Sequence, residues 1–325
     1  MDARRAQDLL KHICQDEDYG AGMLEKLPLP EVIYVVNKIL PECLTEANNK
    51  CNVNDSAFFE DMINRYRPIA IEKIKKADRL WVGYCELTGY PYIIDGQNMV
   101  VMYDYTDSSK IEAQLGFAGY QVSFGRADRE GFFSEVGHMY RNGYKKIFFI
   151  DGKSEPFIVD REELYSYDEY FKDDYITNPG LESAMISYFQ EIRKHAPLEE
   201  RAELIKTREE TMIQQLLASE FMVPCIKEEN ENEIEISHPY VDLTDKVTDK
   251  VTDKQEGEQV IAVPVFTDGY EMDKCYEGHH ENMLYKFPEL KDLTEELGAS
   301  GIIINCLGIS YYMDNKTIAK IAARA

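Results

Sequence analysis

The stretch QVIAVPVFTD, Gln259 to Asp268, decides how the chain reads. It is a short apolar run rich in β-branched residues, the pattern of a buried strand. It stops at Phe266 and passes through Thr267 and Asp268 into a helix-like sequence. Thr or Asp at such a junction satisfies a helix N–H that has no partner inside the helix. A fainter copy, NMVVMYDYTD, runs from Asn98 to Asp107 and ends in the same aromatic-Thr-Asp.

Working outward, three further blocks match in the same order. Lys76 to Val82 parallels Leu217 to Val223, Ile147 to Ile150 parallels Ile302 to Asn305, and Val159-Asp160 parallels Met313-Asp314. Two unrelated α/β segments would also show strands ending in turns, so agreement of order and capping residues carries the weight. The fold class expected is α/β, with α+β as the alternative. It is a tandem repeat of a small mixed-sheet unit preceded by a helical N-terminal layer. The bounds expected are 1–75 for the helical region, 76–195 for the divergent first copy and 196–325 for the second. A low-complexity loop is expected at 240–258, where VTDK repeats among acidic residues.

The rest of the chain is punctuated. Pro41 is expected to stop a helical run, Pro68 to start one, and Asp55-Ser56 to cap one. Leu80 to Tyr84, Met99 to Tyr105, Lys146 to Ile150, Pro156 to Val159 and Phe221 to Ile226 read as strands. Asp95-Gly96 and Asp151-Gly152 read as turns. Asp160 with Glu163 three residues on resembles a capping box. Helices are expected at Leu181 to Lys194 and Glu199 to Ser219, and Ile234 and Ile236 alternate with Glu as an edge strand would.

The second copy resembles the SseB N-terminal domain family over about Thr211 to Ala325. The carrying motifs are LLASEFMVP, VPVFTD and GIIINCLG. The first copy looks like a divergent relative, with YDYTD for VFTD. The family commonly has Asn-Pro where this chain has Asn305-Cys306. The resemblance implies no catalytic residue.

Composition narrows the classes. The 325 residues carry a formal charge of -24, which argues against nucleic acid and anionic membrane surfaces. It fits a protein partner, a basic one included. No signal-like or membrane-spanning apolar run is seen, so a cytoplasmic location is expected. Seven scattered cysteines without a CxxC read as free thiols. No cofactor is expected.

Binding candidates are Thr267, Asp268 and Asn305, with Thr106 and Asp107 in the first copy. At the Thr-Asp pairs capping competes with an anion site at the helix N-terminus, and Asp repels anions. Asp273, Cys275, His279, His280 and Glu281 lie close together, but no second Cys or His pair accompanies them, so no metal is assigned. His195 and His238 read as exposed. Cys85, Cys225 and Cys306 at strand ends read as small hydrophobes. Tyr165, Tyr167, Tyr170 and Tyr175 read as a loop packed over the sheet, with a partner surface as the alternative. No catalytic residue is assigned. Two function classes follow: a non-enzymatic binding or accessory protein of the SseB-like type, and an enzyme of unrecognised type, a hydrolase or thiol transferase.

Overall fold

The N-terminal residues are helical because their apolar side chains recur at three- and four-residue spacing. The computed structural model describes residues 3–15, 21–94, 96–103, 119–151, 154–171, 176–229, 234–244, 259–276 and 281–325. Helical backbone runs from Leu29 to Asn49 without a break. Pro41 therefore does not stop it. It sits in the first turn of the Leu40–Asn49 helix, and the Val35–Ile39 stretch before it is wound as π-helix. A wider turn accommodates a residue that cannot donate to the carbonyl four back.

Pro68 likewise starts nothing; it lies inside the Val53–Lys75 helix. Met62, Tyr66, Ala70 and Ile74 form a buried row at four-residue spacing along that helix. Several large buried side chains at about 2 kcal/mol each outweigh the roughly 3 kcal/mol an internal proline costs. The cap is Asn52, whose side chain accepts from the Asp55 N–H at 3.3 Å, rather than Asp55-Ser56.

The chain divides into two compact units. One comprises Met1–Glu86, Pro91–Tyr140 and Tyr144–Tyr170; the other comprises Leu87–Tyr90, Arg141–Gly143 and Phe171–Ala325. The first holds the helical layer and a mixed sheet. Leu80–Cys85 pairs antiparallel with Val122–Ala127 and with Asn98–Met102. Asn98–Met102 runs parallel to Lys146–Ile150, which pairs antiparallel with Phe157–Asp160. Val82, Val100, Ile147, Phe149 and Phe157 are buried along these strands. The turn residues Asp95 and Gly152 lie outside the described residues. Glu163 closes the expected capping box on the Asp160 N–H at 2.9 Å.

In the second unit Glu220–Glu229 pairs antiparallel with Glu281–Lys286 and Ile234–Ser237. Ile261–Val265 runs parallel to Gly301–Ile304, which pairs antiparallel with Tyr311–Asp314. A single antiparallel bridge, Met222 with Phe266, joins the two sheets. The helices Pro179–Ile192 and Ala202–Ala218 appear where the periodicity places them. Residues 240–244, expected as the start of a loop, are instead tied to the sheet. Val241–Asp242 pairs with Ile261–Val265, and the Leu243 N–H donates to the Val260 carbonyl at 2.8 Å. Residues 245–258 lie outside the described residues.

Both units pair their strands in the same order, and the register corrects one block of the sequence match. Trp81 faces Met102, and Met222 faces Phe266. Lys146 faces Asp160, and Gly301 faces Asp314. Met102 thus holds the pairing position in its sheet that Phe266 holds in its own, and Tyr103 and Thr267 follow them. The expected match of the two Thr-Asp pairs is offset by three residues from these pairing positions. His238 corrects another expectation. It is buried, with Nδ1 2.9 Å from the Pro224 carbonyl oxygen, because that bond supplies the partner a buried imidazole needs.

Candidate functional site

Two parallel strands that end at the same level create the site. Val265 lies beside Ile304, so Thr267-Asp268 and Asn305 leave the sheet together at its carboxyl edge, the place where open α/β sheets gather polar groups. Asn305 is left-handed, with φ of 48°, a conformation Asn tolerates better than most residues. That twist lets its amide continue the ladder sideways. Its Oδ1 accepts from the Thr267 N–H at 3.1 Å, and its Nδ2 donates to Thr267 Oγ1 at 2.8 Å. Asn305 Nδ2 and Thr267 Oγ1 both donate to Glu182 Oε1.

Glu182 comes from the first turn of the Pro179–Ile192 helix. Just before that helix, Asn178 Nδ2 donates to the Thr267 carbonyl at 2.6 Å and the Glu220 carbonyl at 2.8 Å. A cavity of about 610 Å³ borders Asn178, with Thr177, Ser219, Glu220 and Lys286 in its wall.

Asp268 caps the Gly269–Asp273 helix, accepting from the Glu271 N–H at 2.9 Å. The same carboxylate accepts from Arg141 Nε and Nη2 at 3.1 Å each. The Arg141 guanidinium lies 3.9 Å from the centre of the Tyr270 ring, and its Nη2 is 3.4 Å from Glu271 Oε1. Glu271 Oε1 also receives Lys274 Nζ at 2.6 Å and the Tyr90 hydroxyl at 3.1 Å. A Cβ on Gly308 would collide with Glu271 Oε2 and the Tyr90 oxygen.

Thr267, Asp268, Glu182 and Asn305 are fully buried. Burial pushes Glu182 up to about 8, with Glu271 and Asp268 adding to it. Burial also raises Asp268, against the pull of Arg141. Burial thus favours the protonated form of Glu182. Asp268 and Glu271 then face Arg141 and Lys274, so two negative charges meet two positive ones. The Oε2 atoms of Glu182 and Glu271 have no hydrogen-bond partner among the described residues.

Thr267, Asp268 and Asn305, singled out in the sequence, are thus brought together. Thr106 and Asp107 lie outside the described residues, as do His279, His280 and Tyr175. Sequence reasoning missed Glu182, Arg141, Glu271 and Asn178. The signal available for Asn178 and Glu182 was the Asn-Pro-Gly-Leu-Glu helix start at 178–182. Nothing local marks Arg141, which ends the Arg129–Asn142 helix. Tyr165 and Tyr170 are packed on Phe133, with ring centres 4.8 and 4.5 Å from it, and the Tyr170 hydroxyl donates to the Phe133 carbonyl at 2.8 Å. Among the described residues no cluster of three His, Cys, Asp or Glu could hold a metal, and no helix is long and apolar enough to cross a membrane.

Residues 197–320 match the family model described as the SseB protein N-terminal domain. The match covers the Thr267, Asp268 and Asn305 junction and lies in the second half; the counterpart expected around YDYTD is not part of it. At a general level that domain type is accessory rather than catalytic. Comparison with curated proteins and with solved structures finds no match.

Proposed function

We propose, from the SseB protein N-terminal domain at residues 197–320, that the protein is a binding or accessory protein that acts through its surface. The observation that carries this reading is the closed charge of the Asp268 network. Its acids and bases neutralise one another once Glu182 is protonated, and its strand-end residues are wholly buried. Such a network serves first to fix the fold. The partner proposed is a protein, a basic one by charge complementarity with a chain of net charge -24. Leu284 and Ile226, 46% and 56% exposed, lie on one face of the paired strands Glu220–Glu229 and Glu281–Lys286 and supply an apolar contact. A cytoplasmic location and a tandem origin of the two units belong to the same reading. The tandem origin is supported by the common strand order.

The test is capture of partners from native cells with tagged full-length protein, at low and at high salt. A basic protein retained at low salt and released at high salt is expected. A Leu284→Asp, Ile226→Asp double variant should lose it while keeping its melting temperature. Retention by that variant would sink the surface assignment.

A second reading has one observation in its favour. The partnerless Oε2 atoms of Glu182 and Glu271 lie at the carboxyl edge of parallel strands, where an enzyme of the hydrolase kind would hold a carboxyl acid. Hydrolase activity abolished by Glu182→Gln in a fully folded protein would favour it over the accessory reading.

A further inference from the structure

Among the described residues six cysteines form no disulfide, and two of them differ from the rest. Cys43, Cys85 and Cys225 are buried, and Cys51 is exposed. Cys275 and Cys306 are half-buried, and their Sγ atoms are 3.1 Å apart. Two unrelated segments place them. Cys306 follows Asn305 at the end of the Gly301–Ile304 strand. Cys275 follows the Gly269–Asp273 helix, its N–H held by the Met272 carbonyl at 2.9 Å. Both pack against a buried cluster of Met222, Phe266 and Met272. A disulfide needs sulfurs about 2.05 Å apart, so closure asks for roughly 1 Å of movement between side chains already in contact.

We propose that Cys275 and Cys306 are a thiol-oxidation site: a dithiol that converts reversibly to a disulfide by exchange with a low-molecular-weight disulfide. Burial and the neighbouring Cys275 push the Cys306 thiol up to about 12, and the first attack is assigned to Cys275, which follows the exposed residues Asp273 and Lys274. The Cys275 thiolate attacks one sulfur of the small disulfide, whose S–S bond breaks. One small thiolate leaves and takes up the proton that Cys275 gave. Cys306 then loses its proton, attacks the Cys275 sulfur of the mixed disulfide and expels the second small thiol, which carries that proton away. Two electrons pass from the cysteine pair to the small disulfide.

The bridge would tie the segment that carries Asp268 to the segment that carries Asn305. It would restrict the unfolded chain and raise the melting temperature of the oxidised form. The site needs no partner protein, so it stands apart from the accessory reading.

The test uses the full chain and oxidised glutathione. After incubation, free thiols are alkylated and the digest is analysed by mass. A peptide pair joined through Cys275 and Cys306 is expected, with melting raised by about 5 °C or more and both effects reversed by dithiothreitol. Cys306→Ser should trap glutathione on Cys275 and form no bridge. Cys51→Ser should leave the bridge intact. Should either serine variant fold poorly, the wild-type digest and melt decide alone. Alkylation of both Cys275 and Cys306 after oxidation, with glutathione confined to Cys51, would overturn the proposal.

Discussion

The two units pair their strands in one order, yet the described residues at their strand ends differ. In the first unit the residues at the junction are Tyr103 and Ile150, both buried. In the second the same pairing positions hold Thr267 and Asn305, and around them gather Glu182, Asp268, Glu271 and Arg141. Among the described residues the first edge carries one small polar turn, in which Asp151 accepts from the Ser154 N–H at 2.8 Å, and the second carries a wide polar network. The difference has an energetic meaning. Apolar packing loses stability in proportion to what is removed. A buried polar network fails steeply when one member is lost, because its partners cannot return to water.

The largest effect should come from Arg141→Ala. Arg141 is 5% exposed and Asp268 fully buried in their ion pair. Loss of the cation leaves Asp268 and Glu271 facing one another without their main counter-charge, at a cost of about 3–5 kcal/mol. Urea unfolding measures it. A loss under about 1 kcal/mol would mean that solvent reaches the pair and the network is no brace.

Next is Asn305→Ile, which gives the second unit the residue the first has at Ile150. It strips partners from Thr267 and Glu182 and puts a β-branched residue at φ of 48°. The expected cost is about 3 kcal/mol, read from the shift of the urea midpoint. A neutral result would show the two edges to be interchangeable and erase the contrast.

A pH test sharpens it further. Burial raises Glu182 from 4.5 to about 8, so the folded chain holds this proton more tightly than the unfolded one. Its stabilising contribution is fully present below about 4.5 and is lost as pH rises through about 8. Asp268, raised by burial too, acts with the same sign. Stability of the wild type should therefore fall across that window, and Glu182→Gln, uncharged throughout, should flatten the slope. Parallel slopes for the two proteins would place the titration elsewhere.

The smallest effect is expected in the first unit. Arg67 and Glu163 form an ion pair at 2.8 Å, but both are about one-third exposed. Solvent screens such a pair, and Arg67→Gln should cost about 1 kcal/mol or less. A cost matching that of Arg141→Ala would make burial irrelevant to the comparison.

The sequence was legible wherever the deciding physics is local. Strand periodicity placed Lys146–Ile150 to the residue, and helical spacing found Pro179–Ile192 and Ala202–Ala218 within a few positions. Capping chemistry at Asp160, Asp268 and Asp314 depends on a neighbour three residues away, so it too could be read directly. What failed depended on distant packing. Pro68 reads as a helix start until the buried row of Met62, Tyr66, Ala70 and Ile74 carries the helix through it. His238 reads as exposed until the Pro224 carbonyl meets its ring.

By itself the sequence determined the strands, the capped junction at Thr267 and Asp268, the match to the SseB N-terminal domain and the acidic balance. Only the tertiary structure decided that Asp268 is both a cap and the counter-ion of Arg141, 127 residues away. It alone set Glu182 beside Thr267 and Asn305, and Cys275 beside Cys306. The reason is that a cap is one hydrogen bond within a single turn. A buried charge instead takes its proton and its partners from whatever the folded chain packs around it.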